Sequence, residues 1–413
     1  MKSSQIAALF LIAWFASATA HSATNYETRL AELSAEIRAR EQRANKLQNV
    51  ANAYDLAAKA YLERAQLTGD YDDYLMAQEN IARAFALLDD KSGPYFTRAK
   101  LRFALHELDK AEQDLDKLAQ RPLLNPEMQA AMYDLRTDIA YQRGDYKNAA
   151  AGANAALERT RDAGNLFRRA RLYADETEFE QAEKLLGEAI ASAAGDDAHL
   201  EAWLCLQRGL LDLERGRWDD ALVWYQRGQR VFPGWWLIDE HVVEILSLQG
   251  HDDRAKPLYE SIIARTGHPE FMDALAALYE QRGDSAKAAE WVAKARKEHE
   301  SRIAKIPAAA SGHALDHFLD YEADAARVVA MARENYERRP NPRAALQLAQ
   351  ALAKAGDDEA AEKILETAMQ SPYRSADLLA FASDLASRRN DPAAAAKHRA
   401  AALAINPFAL DEQ

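Results

Sequence analysis

The sequence predicts an all-α fold, a solenoid of about ten helix-turn-helix repeats. Three observations lead there. Alanine fills 87 of 413 positions, while glycine and proline supply only 16 and 12, a balance that favours helix over sheet. Short turns recur at intervals of 33 to 40 residues. An alanine stands five residues after most of them.

The elements follow in chain order. Lys2, an apolar run from Ile6 to Phe15 and the small residues Ala18-Thr19-Ala20 have the form of a secretory leader. Residues 1–20 are expected to be a signal peptide cut after Ala20, with an uncleaved anchor as the alternative. The run is shorter than the ~20 apolar residues a bilayer span needs. No other segment is apolar enough to cross, so the mature chain is expected to be periplasmic or secreted. Residues 21–54 hold Leu30, Leu33, Ile37 and Leu47 among charges, the pattern of an amphipathic helix that caps the array. Residues 55–302 read as repeats 1–7, 303–312 as a possible hinge with Pro307 and Gly312, 313–407 as repeats 8–10, and 408–413 as a tail.

The turns are anchored at 69, 106, 144, 177, 216, 250, 283, 323, 356 and 390, among them Gly69-Asp70-Tyr71, Gly144-Asp145-Tyr146 and Gly216-Arg217-Trp218. Gly or Asn tolerates the left-handed backbone that ends a helix. The Asp after it can cap the next helix by accepting unpaired amide hydrogens. Five residues on come Tyr74, Ala111, Ala149, Ala182, Ala221, Ala255, Ala288, Val328, Ala361 and Ala395. Small side chains at that offset let two antiparallel helices approach closely. Each pair leaves an apolar face uncovered, so neighbours must stack.

These Gly-Asp-Tyr turns, the alanine seam, the aromatic nine residues later in Tyr225 and Tyr259, and the closing Pro233, Pro340 and Pro407 resemble the tetratricopeptide repeat family over residues 55–407. The resemblance implies a right-handed superhelix whose concave face is lined by the first helix of each pair, and a role in binding other molecules. With the anchor as position 15, the family's groove positions 5 and 9 become Lys59/Glu63, Phe96/Lys100, Asp134/Asp138, Phe167/Arg171 and Leu206/Leu210. They continue as Glu240/Glu244, Asp273/Ala277, His313/His317, Leu346/Gln350 and Ala380/Asp384. The Lys and Asn with which family members clamp a peptide carboxylate are missing there.

The wall offers acids instead, Asp134, Asp138, Glu240, Glu244, Asp273 and Glu280. They are expected either to attract a basic peptide or simply to form a solvated charged face. His313 and His317 stand one helical turn apart with Asp320 beyond them. Two imidazoles and a carboxylate on one face suit a transition-metal ion, with His241 and His299 as further donors; packing between helices is the other reading. Trp235 and Trp236 are an aromatic anchor for a partner or filler between stacked repeats.

A net charge of −13 speaks against a nucleic-acid partner, which needs a basic face. No G-x-S-x-G, phosphate loop, dinucleotide fingerprint or H-E-x-x-H occurs, and Cys205 stands alone as a small hydrophobe. No cofactor is expected. The expectation is a non-catalytic scaffold that binds a protein or peptide segment in the groove. Two alternatives stand beside it: a metal- or small-ligand-binding protein using His313, His317 and Asp320, or a structural subunit of a cell-envelope assembly.

Overall fold

A computed structural model describes residues 25–410, which form helices and no strands. The expected leader, residues 1–20, lies outside them. A first helix, α1 (Tyr26–Lys46), packs on the array. Repeat 1 pairs α2 (Ala51–Thr68) with α3 (Tyr71–Ala86), and repeat 2 pairs α4 (Tyr95–Ala104) with α5 (Leu108–Ala119). Repeats 3 and 4 are α6 (Pro126–Gln142) with α7 (Tyr146–Arg159) and α8 (Ala163–Asp175) with α9 (Phe179–Ala193). Repeats 5 and 6 are α10 (Ala198–Leu213) with α11 (Trp218–Val231) and α12 (Trp236–Leu248) with α13 (Asp252–Thr266). Repeats 7 and 8 are α14 (Pro269–Gln281) with α15 (Ser285–Lys305) and α16 (Pro307–Tyr321) with α17 (Ala325–Arg338). Repeats 9 and 10 are α18 (Pro342–Lys354) with α19 (Asp358–Met369) and α20 (Ala376–Arg388) with α21 (Pro392–Ile405).

The turn between the two helices of a pair is nearly the same throughout. Of the ten anchors, all but Ala323 have positive φ, including the non-glycines His106, Thr177 and Asn390. The amide three residues past the helix end bonds back to a carbonyl five residues earlier, as in Asp145 N to Ala140 O at 2.9 Å and Asp357 N to Leu352 O at 3.0 Å. This is the Schellman arrangement that satisfies helix-end carbonyls. Asp70, Asp145, Asp284, Asp324, Asp357 and Asp391 then cap the second helix with their side chains. All ten residues five past the anchor are buried, Ala149 and Ala221 completely. At Gly209 even an alanine would not fit, since a Cβ there would lie 2.2 Å from the Tyr225 ring.

The array does not stay open. The turn in repeat 1 meets the loop opening repeat 7, where the His268 ring Nε2 donates to the Thr68 carbonyl at 3.1 Å. In repeat 3, the Gln142 carbonyl accepts from Asn341 Nδ2 at 2.9 Å, in the loop opening repeat 9. In repeat 4, Asp175 O accepts from Arg374 N at 2.8 Å, in the loop opening repeat 10. Past repeat 10, Phe408 stacks on Trp218 of repeat 5 at 4.4 Å. The repeats that touch are six apart, so the superhelix completes a turn in about six repeats and its second turn seats on the first. Apolar packing bridges the two turns as well: Leu33 and Leu67 share one core with Trp236 and Phe271, and Tyr146 shares another with Phe318 and Tyr373.

The possible hinge, 303–312, spans the junction of α15 and α16. Within 303–312 only Ile306 is outside a helix, because Pro307 sits at the first position of α16 and starts it. Ile306 is buried with Leu101 of α4 and Leu105 just after it, which ties this stretch to repeat 2.

Candidate functional site

The inner positions of the first helices differ sharply along the chain. At repeat 1, Lys59 and Glu63 have side chains 45% and 46% exposed. At repeat 2, Phe96 and Lys100 are half-buried. In the middle, Phe167, Arg171, Leu206, Leu210, Glu240 and His317 are buried. At repeats 9 and 10 the wall opens again, with Leu346, Gln350 and Ala380 half-buried and Asp384 exposed. The centre of the expected groove is therefore closed over, while its ends are less so.

The acids expected to form a continuous negative wall are largely matched by cations or enclosed. Asp134 pairs with Arg159 at 2.6 Å and with Arg168 at 3.6 Å. Asp138 is buried between Arg168 at 3.1 Å and Arg171 at 3.5 Å, and the Arg171 guanidinium lies 3.5 Å over the Tyr141 ring. Glu280 is exposed. Glu240 is fully buried, and burial pushes its carboxyl up to about 8. Glu244 lies one helical turn on, its Oε2 2.8 Å from His241 Nδ1.

His313, His317 and Asp320 do not converge. His317 is drawn to the other side: its Nδ1 donates to Asp273 Oδ1 at 2.7 Å, while His299 Nε2 donates to Asp273 Oδ2 at 2.9 Å. Asp273, His299 and His317 thus come together from α14, α15 and α16, with the histidine rings 4.9 Å apart. The His313 ring faces His106 of repeat 2 at 5.7 Å, and burial followed by Arg339 lowers its pKa to about 4. Asp320 lies on an exposed part of α16. Beside it, Asp316 accepts from Gln347 Nε2 at 3.0 Å, and burial lifts its carboxyl to about 6. The tryptophans fill space between repeats: Trp235 and Trp236 are 2% and 1% exposed, and both indole N–H groups donate to the Leu67 carbonyl. A partner cannot reach them. Cys205 is buried and its thiol is pushed up to about 12 by that burial, so it is held as an inert thiol.

Sequence spacing missed two central groups. Glu270 would be raised by burial, but the Arg302 guanidinium at 3.5 Å, with His299 and His268, holds it near 2. His268 is 3% exposed, and burial first, Arg302 second, lowers its pKa to about 4. In the unfolded chain an imidazole titrates near 6.5, so between pH 6.5 and 4 the unfolded state takes up a proton that folded His268 refuses. The stability this supplies is complete above 6.5 and is lost as pH falls through 4. Asp175, raised to about 7 chiefly by burial, and Glu240 act in the opposite sense, so the raw pH profile mixes both. Subtraction isolates the imidazole: relative to wild type, His268→Gln should gain about 2 kcal/mol between pH 7 and pH 5. Urea unfolding of both proteins at the two pH values measures it, and a constant difference would contradict it.

No family model and no curated protein matches the chain. Among solved structures, it is similar to a tetratricopeptide repeat protein from Parabacteroides merdae, at 15% identity and TM-score 0.35 over 59% of this chain and 93% of that one. A chain of the APC/C Cut9–Hcn1 hetero-tetramer matches at 15% identity and TM-score 0.41, over 93% of this chain and 81% of that one. Human IFIT1 with m7Gppp-AAAA matches at 11% and 0.42, over 89% and 94%. The fold assignment rests on the helix pairs, their shared left-handed turns and the buried alanine seam: the chain is an all-α solenoid of tetratricopeptide-like repeats.

Proposed function

We propose that the chain is a non-catalytic interaction scaffold, exported through the leader at residues 1–20, which holds a protein or peptide segment against the open inner wall of repeats 1 and 2. One observation supports this most: the inner positions are exposed at Lys59 and Glu63, half-buried at Phe96 and Lys100, and closed over in repeats 4 and 5. That wall is of mixed charge. Lys59 pairs with Asp55 at 2.7 Å, and Lys100 lies 5.9 Å from the Phe96 ring. A partner there needs an apolar or aromatic anchor with polar groups of both signs rather than a run of basic residues. Exposed apolar side chains also occur where repeats 2 and 3 meet in sequence, with Leu123 91% and Tyr133 60% exposed. Stacked helices hold such a surface rigid before the partner arrives, which reduces the ordering cost of binding.

Photo-crosslinking in the native cell tests the reading. A benzophenone amino acid in place of Phe96 should trap a partner on a chain that is recovered from the exported fraction and begins at His21. The same probe in place of Val223, which is 60% exposed on α11 of repeat 5, should trap none. Adducts at 223 and none at 96 would move the interface elsewhere. A chain found only in the cytoplasm with residues 1–20 attached would remove the export half of the proposal.

A further inference from the structure

The Glu240-His241-Glu244 cluster leaves a buried carboxyl whose hydrogen-bonding needs its protein neighbours do not meet. The three residues are i, i+1 and i+4 on α12, so their side chains leave one side of the helix. His241 Nδ1 lies 2.8 Å from Glu244 Oε2 and 3.4 Å from Glu240 Oε2. A single ring nitrogen carries at most one proton, which serves the nearer oxygen. Both oxygens of Glu240 are buried without a hydrogen-bond partner. Among the described residues neither Glu240 nor Glu244 has an ion pair with Lys or Arg. An enclosed carboxylate without hydrogen bonds is strongly disfavoured, and the one cation within reach of Glu240, a protonated His241, is 3.4 Å away and shared with Glu244. The Tyr225 ring stacks on His241 at 5.4 Å, and its buried hydroxyl is also without a partner.

We infer that Glu240, His241 and Glu244 form a binding site for one divalent transition-metal ion, of the zinc or manganese kind, inside repeat 6. The donor set of one imidazole and two carboxylates suits such ions. Two ligands at about 2.1 Å from a metal, subtending 90–110°, stand about 3.0–3.4 Å apart; the distances of 2.8 and 3.4 Å to His241 Nδ1 bracket that range. The three ligand atoms lie within 4.8 Å of one another. Glu244, 15% exposed, gives the ion a way in and leaves room for water to complete its coordination. The Asp273-His299-His317 cluster is the internal contrast. There each carboxylate oxygen already accepts from a separate ring N–H, so the acid is satisfied without an ion.

Calorimetry on the full purified chain, stripped with chelator and titrated separately with zinc and with manganese, tests the inference. One ion per chain should bind in wild type. Glu240→Gln and Glu244→Gln should each weaken that binding by more than about 100-fold, beyond the loss expected from an outer-shell group. His299→Gln/His317→Gln should leave it unchanged. Thermal unfolding gives a second readout, with the metal raising the wild-type midpoint and leaving both Gln variants unmoved. Should Glu240→Gln fail to fold, Glu244→Gln at the more exposed position decides the matter. Absence of stoichiometric uptake, undiminished affinity in the Gln variants, or loss in the histidine double variant would each overturn the site.

Discussion

Trp236→Ala is expected to destabilise the protein by about 3–5 kcal/mol, as truncation of a fully buried aromatic does. The residue belongs to repeat 6, yet much of what it touches lies elsewhere. Its indole N–H donates to Leu67 O of repeat 1 at 3.2 Å. Its ring lies 4.4 Å from His268 and 5.7 Å from Phe271 of repeat 7. Trp235 donates to the same carbonyl at 3.3 Å, so Trp236→Ala leaves one of two hydrogen bonds in place. Repeat arrays need not unfold in one step, and the effect is best read locally. Hydrogen exchange at the Leu67–Gly69 amides should quicken in the variant, alongside a lower urea midpoint. Trp236→Phe, which keeps most of the ring and loses the donor, should cost about 1 kcal/mol. Unchanged exchange in repeat 1 would show that the two superhelical turns do not support one another.

A matched pair of glycines separates backbone strain from contact between turns. Gly144 and Gly283 hold the same place in their repeats, with φ of 70° and 74°. An alanine at either must adopt a left-handed backbone, which costs about 1–2 kcal/mol. At Gly283 that is the whole effect, since nothing lies within 4 Å of the added Cβ. At Gly144 the Cβ would stand 2.7 Å from the Pro340 carbonyl oxygen, a backbone atom of the neighbouring turn. One turn must then shift against the other, adding a further 1–3 kcal/mol or so. Gly144→Ala should therefore melt well below Gly283→Ala in thermal unfolding. Equal midpoints would mean that the neighbouring turn gives way without cost.

The local structure was largely legible in the sequence because it is dictated locally. The anchor at Gly69 marks a left-handed helix end, Asp70 the cap that follows it and Tyr74 the buried seam, all within six residues. His106 and Thr177 took the same turn without glycine, showing that the spacing carried more information than residue type. Ala323 was the exception, and there Asp324 still caps α17 through two amides. What the sequence did not disclose was pitch. Whether the rod closes on itself depends on a small rotation per repeat that no single turn encodes. The contact between Trp236 and Leu67 spans 169 residues, and that between His268 and Thr68 spans 200. Without it, Trp235 and Trp236 could be read as a surface anchor, while Asp138 could be read as a groove acid because its partners, Arg168 and Arg171, come from the next repeat. The two readings of the histidine pair stood open for a related reason. One helical turn of spacing aligns His313 and His317, but neighbouring helices offer Asp273 to one and His106 to the other.

The seating of each coil on the one below has an evolutionary consequence. A solenoid held only by adjacent units can gain or lose a module and simply grow or shrink. Here, deleting one internal module would slide every later loop past its partner by one repeat, setting Asn341 and Arg374 each against the wrong turn. The number of modules is thereby locked like the thread of a screw cut to one nut, and variation is left to the ends.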